Sequence, residues 1–292
     1  MKVIVVGGSG FIGHEICKKL SFEGFEVINM SRKPGIAGTV PHKFGDINLP
    51  DSYESWMGEF GPDIIIQTAW ITDHLTHRQS SENLEYANGT IRLAQFAANI
   101  SVKHFIAFGS SVEYGYQELN CNALRTIPQP FDLYGQEKFR VSLTLRKIAV
   151  NSETRFTWAR IFQAYGPGQE KHRFIPLAIQ SLKAKSEFNC INPDLTLDWI
   201  SSRDIASALH WTLLNDLPEE IDLGTSIGIT VEDTAMKIAK LLGVSETLVR
   251  RSESLSTKNL RSLVADPAIS LLASGWSPKD TLETGLSWAY NL

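Results

Sequence analysis

The chain opens on an apolar run that stops at a cluster of glycines, KVIVVGGSGFIG, and this junction constrains the fold more than any other stretch. Gly7, Gly10 and Gly13 stand three residues apart, between a strand-like segment and a helix-like one. Without Cβ atoms, such a turn lets the N–H groups at a helix start, here Gly10, Phe11, Ile12 and Gly13, approach a pyrophosphate whose charge the helix dipole favours. A GxxGxxG string is weak evidence by itself. Its position between a first strand and a first helix gives it weight as a dinucleotide-binding turn.

The rest of the first half repeats that alternation. FEVINMS, PDIIIQTAW, KHFIAFGSS and RFTWARIFQ read as further buried strands, and near-continuous apolar strands indicate a parallel sheet covered on both faces. FIGHEICKKLSFEG sets Ile12, Ile16 and Leu20 on one helical face and stops at Gly24, while SENLEYANGTIRLAQFAANI and YGQEKFRVSLTLRKIAV are also helix-like. The order βαβαβ predicts an α/β, doubly wound parallel Rossmann sheet with right-handed crossovers. Beyond residue 165, loops and shorter helices predict a smaller, interleaved substrate lobe. The expected division is 1–165 for the dinucleotide-binding domain, with 196–222 returning to it, and 166–195 with 223–292 for the smaller lobe. In the latter, Thr230 and Asp233 open TVEDTAMKIAKLLG as a capping-box-like start.

Composition narrows the partners. The 292 residues carry a net charge of -4, which argues against nucleic acid as the main partner and for small-molecule chemistry. Three scattered cysteines, Cys17, Cys121 and Cys190, suggest neither a disulfide framework nor a zinc site, and His74 and His77 lack nearby partners for a ligand set. No metal is expected. The apolar start is far too short to cross a membrane, so a cytoplasmic protein is expected.

The end of the second strand reports on which nicotinamide dinucleotide is bound. An acid there would accept from a ribose 2′-hydroxyl; this chain has Ser31, Arg32 and Lys33, a pair of cations suited to a 2′-phosphate. NADP(H) is favoured, with NAD(H) as the other possibility. Asp46 and Ile47, in the GDI stretch, fit either an adenine contact or a turn.

With those glycines, FGSSVEYG at 108–115 and YGQEK at 134–138 in order, the sequence resembles the extended short-chain dehydrogenase/reductases, within them the epimerase, dehydratase and reductase group acting on nucleotide sugars. RIFQAYGPGQ, LDWISSRDIASAL and GWSP followed by LETGL extend the resemblance over nearly the whole chain. It implies a catalytic set of Ser110, Tyr134 and Lys138, with Tyr134 and Lys138 also facing the cofactor beside Thr68 and Ala69. Tyr134 and Lys138 are four apart, hence on one helical face, where an ammonium would favour the ionised phenol and bring its pKa nearer the working pH. Tyr134 would then protonate a carbonyl oxygen as hydride reaches its carbon, with Ser110 donating to the same oxygen. Ser111 is the fallback for Ser110. Substrate contacts are expected from Ser111, Glu113, Gln163 and Arg173, Glu113 being equally suited to bracing its loop. Lys171, His172 and Arg173 form a basic cluster that could meet a pyrophosphate.

Three departures qualify the resemblance. QTAW at 67–70 stands where many members have an HLAA-like stretch, and Leu197 replaces an arginine before DWI, so that one nucleotide contact is either absent or supplied by Arg173 or Arg203. Ser111 and Val112 replace the acidic pair of the dehydratases, which argues against dehydration. The implied activity is NADPH-dependent reduction of the 4-keto group of a nucleotide-linked, 6-deoxy sugar. The alternatives are a nucleotide-sugar 4-epimerase with tightly held NAD and a silent dinucleotide sensor. Similar proteins dimerise through two helices, here 82–99 and 134–150.

Overall fold

The structure is a computed structural model, which describes residues 1–35, 40–71, 73, 75–117, 120–252, 262–266 and 271–292. The first half runs β1 (Lys2–Val6), α1 (Phe11–Phe22), β2 (Glu26–Ser31), β3 (His42–Phe44), α2 (Glu54–Phe60), β4 (Ile64–Gln67), α3 (Glu82–Asn99), β5 (His104–Ser110), α4 (Leu133–Val150) and β6 (Arg155–Ile161). It continues through β7 (Gln163–Tyr165), α5 (Phe174–Lys183), β8 (Phe188–Ile191), β9 (Thr196–Ser201), α6 (Ser202–Leu214), β10 (Glu220–Leu223) and β11 (Gly228–Thr230). Last come α7 (Val231–Leu241), β12 (Val249–Ser252), β13 (Ser262–Leu263) and α8 (Leu282–Tyr290). All five strands read from the sequence are present.

Among the described residues the large sheet has the order β10-β6-β5-β4-β1-β2-β3, with every pairing parallel. Alternate residues of β1 explain the two helical layers. Val3 and Val5 pack with Ile16, Leu20, Ile205 and Leu209 on the α1/α6 face, while Ile4 and Val6 pack with Leu93, Val141 and Leu145 on the α3/α4 face. The strand order reverses between β1 and β4, so a crevice opens at their C-terminal ends, where such sheets bind ligands.

The smaller lobe centres on β9, which pairs with β7, β11 and β13, and its core includes Trp199, Ile175, Ile179, Ala235 and Ile238. Within 196–222, α6 and β10 join the large layer, whereas β9 pairs in the smaller sheet; the chain re-enters the large layer at Ser202. As the sequence suggests, the Thr230 hydroxyl caps α7, accepting from the Asp233 N–H at 3.0 Å. None of the described helices is long and apolar enough to cross a membrane.

The cap of α4 matters most for the site. Asp132 accepts from the Gly135 N–H at 2.8 Å and from Arg78 Nη1 at 2.6 Å, while the Arg78 carbonyl accepts from the Tyr134 N–H at 3.0 Å. One carboxylate thus fixes both the helix start and the loop before α3. We expect Asp132→Ala to lower stability by about 1–2 kcal/mol, as loss of a cap with a charged partner does, and Asp132→Asn, which keeps the cap acceptor, to lose less; denaturant titration measures both.

Candidate active site

The glycine turn forms the floor of the crevice. Gly7 has φ +82°, a conformation L side chains rarely adopt, and a Cβ on Gly13 would lie 2.3 Å from the Gly7 carbonyl oxygen. Only glycine allows α1 to approach β1 this closely. Gly10 stands at the N-cap of α1 with no side chain capping the first turn, so the N–H groups of half-buried Phe11 and Ile12 and of Gly13 face outward as donors. This donor set fits a dinucleotide pyrophosphate. Thr68, whose hydroxyl donates to the Val6 carbonyl at 2.8 Å, and Ala69 close against Gly7 from the end of β4.

At the end of β2 the cations expected from the sequence, Arg32 and Lys33, are exposed, and Arg32 donates to the Tyr86 hydroxyl of α3. The Ser31 hydroxyl meets Ser9 Oγ at 2.6 Å, Asn29 Oδ1 at 3.0 Å and the Lys33 carbonyl at 2.8 Å, and so shapes the turn. The Ile47 side chain is buried in the α3-side core. Asp46 is half-buried and braces a turn, accepting from the Asn48 N–H at 2.9 Å.

Ser110, Tyr134 and Lys138 come together as expected. Ser110 ends β5, beside β4 and facing the crevice, and its hydroxyl hydrogen-bonds the Tyr134 phenol. Tyr134 and Lys138 lie on the first turns of α4. The buried Lys138 ammonium donates to the Phe108 carbonyl at 2.7 Å and stands 5.8 Å from the Tyr134 ring centre. The electrostatics differ from the sequence-based expectation. Burial raises the Tyr134 pKa, and the Ser110 hydrogen bond, Arg173 and Arg78 pull against it without reversing it. Burial lowers Lys138 to about 7, with Glu113 opposing. In this state the phenol keeps its proton.

Two expected substrate contacts are corrected. Glu113 is 0% exposed and accepts from the Ser110 N–H at 2.7 Å, Arg160 Nε at 2.8 Å and the Trp158 indole at 3.1 Å. It braces the end of β5. Ser111 is likewise 0% exposed, while Ser110 is half-buried at the end of β5. Gln163 lies half-buried at the start of β7. In the basic cluster, Lys171 is exposed and His172 pairs with Glu170 at 2.7 Å, while Arg173, at the cap of α5, acts on the Tyr134 phenol. Arg203 is committed elsewhere, bidentate on Asp280 and 4.4 Å from the Trp288 ring centre. His77 is buried beside Tyr134, with ring centres 5.5 Å apart; His74 lies outside the described residues.

Sequence reasoning missed Trp70, Tyr86 and Arg78. The signal for Trp70 was the QTAW departure itself, a large ring where the pattern has a small residue. Arg78 carried no local signal.

A glycine cradle at the strand-order reversal, with a Ser-Tyr-Lys set across the crevice, defines a dinucleotide-dependent oxidoreductase of the extended short-chain type. Residues 3–224 match the NAD dependent epimerase/dehydratase family, and the chain belongs to it. It is 25% identical to a dTDP-L-rhamnose 4-epimerase of Burkholderia thailandensis, over 98% of this chain and 93% of that one. It is also 25% identical to a GDP-6-deoxy-D-talose 4-dehydrogenase of Aggregatibacter actinomycetemcomitans, over 79% and 76%. Among solved structures, the UDP-glucose 4-epimerase of Thermus thermophilus in complex with NAD superimposes with a TM-score of 0.87 at 20% identity, covering 100% of this chain and 98% of that one.

A buried lysine lowered from 10.5 to about 7 costs stability. Between those values the unfolded chain binds more protons than the folded one. The cost is therefore complete below pH 7 and fades as the pH rises toward that of an unfolded lysine. Lys138→Met should be more stable than the parent by roughly 2–4 kcal/mol at pH 6 and show a smaller gain at pH 9, while losing turnover; urea titrations at the two pH values measure this.

Proposed function

We propose that this enzyme reduces the 4-keto group of a nucleotide-linked, 6-deoxy sugar, using NADPH, in the cytoplasm. The observation that carries this reading is that Ser110, at the end of β5, and Tyr134 and Lys138, on the first turns of α4, meet in one site where burial favours the protonated phenol. A ketone reductase needs its acid loaded before the carbon is reduced, whereas an enzyme that begins by oxidising an alcohol needs the same group empty. The cofactor, when bound, supplies the hydride. Ser110 and Tyr134 both donate to the carbonyl oxygen, and Tyr134 passes its proton to that oxygen as negative charge develops there. Lys138, on the first turns of α4, offers a donor to the nicotinamide ribose.

Arg32 and Lys33 support NADPH over NADH, because both are exposed beside the cradle while Ser31 offers no carboxylate to a ribose hydroxyl. Arg173 supports a pyrophosphate-bearing substrate, since the position before DWI is the apolar Leu197 and Arg203 is held by Asp280. We further propose a homodimer through helices 82–99 and 134–150. α3 and α4 lie side by side, with Leu84 and Leu143 exposed on them.

The decisive assay follows nicotinamide absorbance with NADPH or NADH and a panel of CDP-, dTDP-, GDP- and UDP-linked 4-keto-6-deoxy sugars. NADPH loss with one base is expected, and Tyr134→Phe should reduce it by about 10²–10⁴-fold; full turnover by that variant would sink the assignment. Arg32→Ser should shift the preference for NADPH over NADH by about 10-fold or more toward NADH, read from the two kcat/KM values. The second reading is a 4-epimerase, favoured by the similarity to the dTDP-L-rhamnose 4-epimerase. It requires stoichiometric NAD in the purified protein and sugar interconversion without net absorbance change.

A further inference from the structure

We propose that Trp70 is a positioning residue of the active site: its indole face seats the Lys138 ammonium as a cation–π partner and fixes it beside Tyr134. The inference rests on the reading of Tyr134 and Lys138 given above.

The geometry is specific. Lys138 Nζ lies 3.6 Å from the Trp70 ring centre, against 5.8 Å for Tyr134 and 6.0 Å for Trp158. Lys138 has no carboxylate in direct contact among the described residues. Of the titratable groups facing it, Glu113 comes from the turn after β5 and spends its oxygens on Ser110, Trp158 and Arg160, while Tyr134 comes from α4 itself. The charge is therefore solvated by two uncharged partners, the Phe108 carbonyl at 2.7 Å and the negative face of the indole.

Trp70 is itself held. Its Nε1–H donates to Asn83 Oδ1 at 2.8 Å, and the fully buried Asn83 amide donates to the His77 carbonyl at 2.6 Å and the Ser80 carbonyl at 2.9 Å. The same ring meets Tyr134 edge-on, with centres 6.3 Å apart at 82°. One side chain thus touches both Tyr134 and Lys138, and the start of α3 fixes its angle.

The test compares Trp70→Leu, which keeps apolar bulk but has no π face, with Trp70→Phe, which keeps a weaker one. In the cofactor-free protein, carbon NMR of ε-labelled lysine reads the Lys138 titration directly, its signal assigned by loss in Lys138→Met. A cation–π partner favours the charged form, so Trp70→Leu should move the titration down by about one pH unit and Trp70→Phe by less. With substrate, Trp70→Leu should lose about 10-fold in kcat with little change in KM, its alkaline limb moving the same way. A Lys138 titration unmoved or raised in Trp70→Leu, or identical pH profiles for the two variants, overturns the proposal. Tyr134→Phe run alongside separates the failures: its full turnover would discard the functional reading, whereas its inactivity beside an unmoved titration discards Trp70 alone.

Discussion

The buried guanidinium of Arg160 holds the catalytic strand ends in place. It donates to Glu113 at 2.8 Å and to Glu220 at 2.7 Å, joining β6 to the turn after β5 and to the outermost strand β10. Glu113 in turn receives the Ser110 N–H, so the position of Ser110 depends on an ion pair entirely removed from water. Taking either partner away would strand the other charge in the interior, which costs far more than an exposed pair could contribute. Gly109 makes the arrangement possible, because a Cβ there would lie 2.4 Å from both Glu113 Oε1 and Trp158 Nε1.

What could be read in the sequence was what local chemistry determines. The glycine junction, the apolar strands, the Thr230 cap and the four-residue spacing of Tyr134 and Lys138 each follow from a few neighbouring residues, and each stands in the structure. Glu113 could not be placed in the same way. After a strand end a carboxylate faces either the cleft or the interior, and here the outcome is set by Trp158 and Arg160, 45 and 47 residues away. The Ser31 hydroxyl is likewise held by a residue distant in sequence, Ser9 of the glycine turn. Trp70 is intermediate, since its sequence marks an unusual ring but not the ammonium it covers.

The electrostatic state of the site follows from burial more than from pairing. Tyr134 and Lys138 both shift toward their neutral forms, the phenol upward and the ammonium downward to about 7, because desolvation is the largest contribution to each. A pair merely stacked on a helix surface would show neither shift. The site is thus a proton-loaded acid beside a marginally charged lysine, with positive field supplied from its rim by Arg173 and Arg78.

This distribution separates two tasks by position. The first turn of α1 carries positive potential outward, and Arg173 carries its charge at the N-cap of α5, where burial works against it. The interior keeps its donors neutral or shared, in Ser110, Tyr134 and the indole-covered Lys138, so that they meet charge only where a carbonyl oxygen develops it. An arginine in the interior would need a carboxylate partner, as Arg160 does. The division explains why the cations of this chain that await a ligand stand at the cleft mouth while its buried guanidinium serves the scaffold.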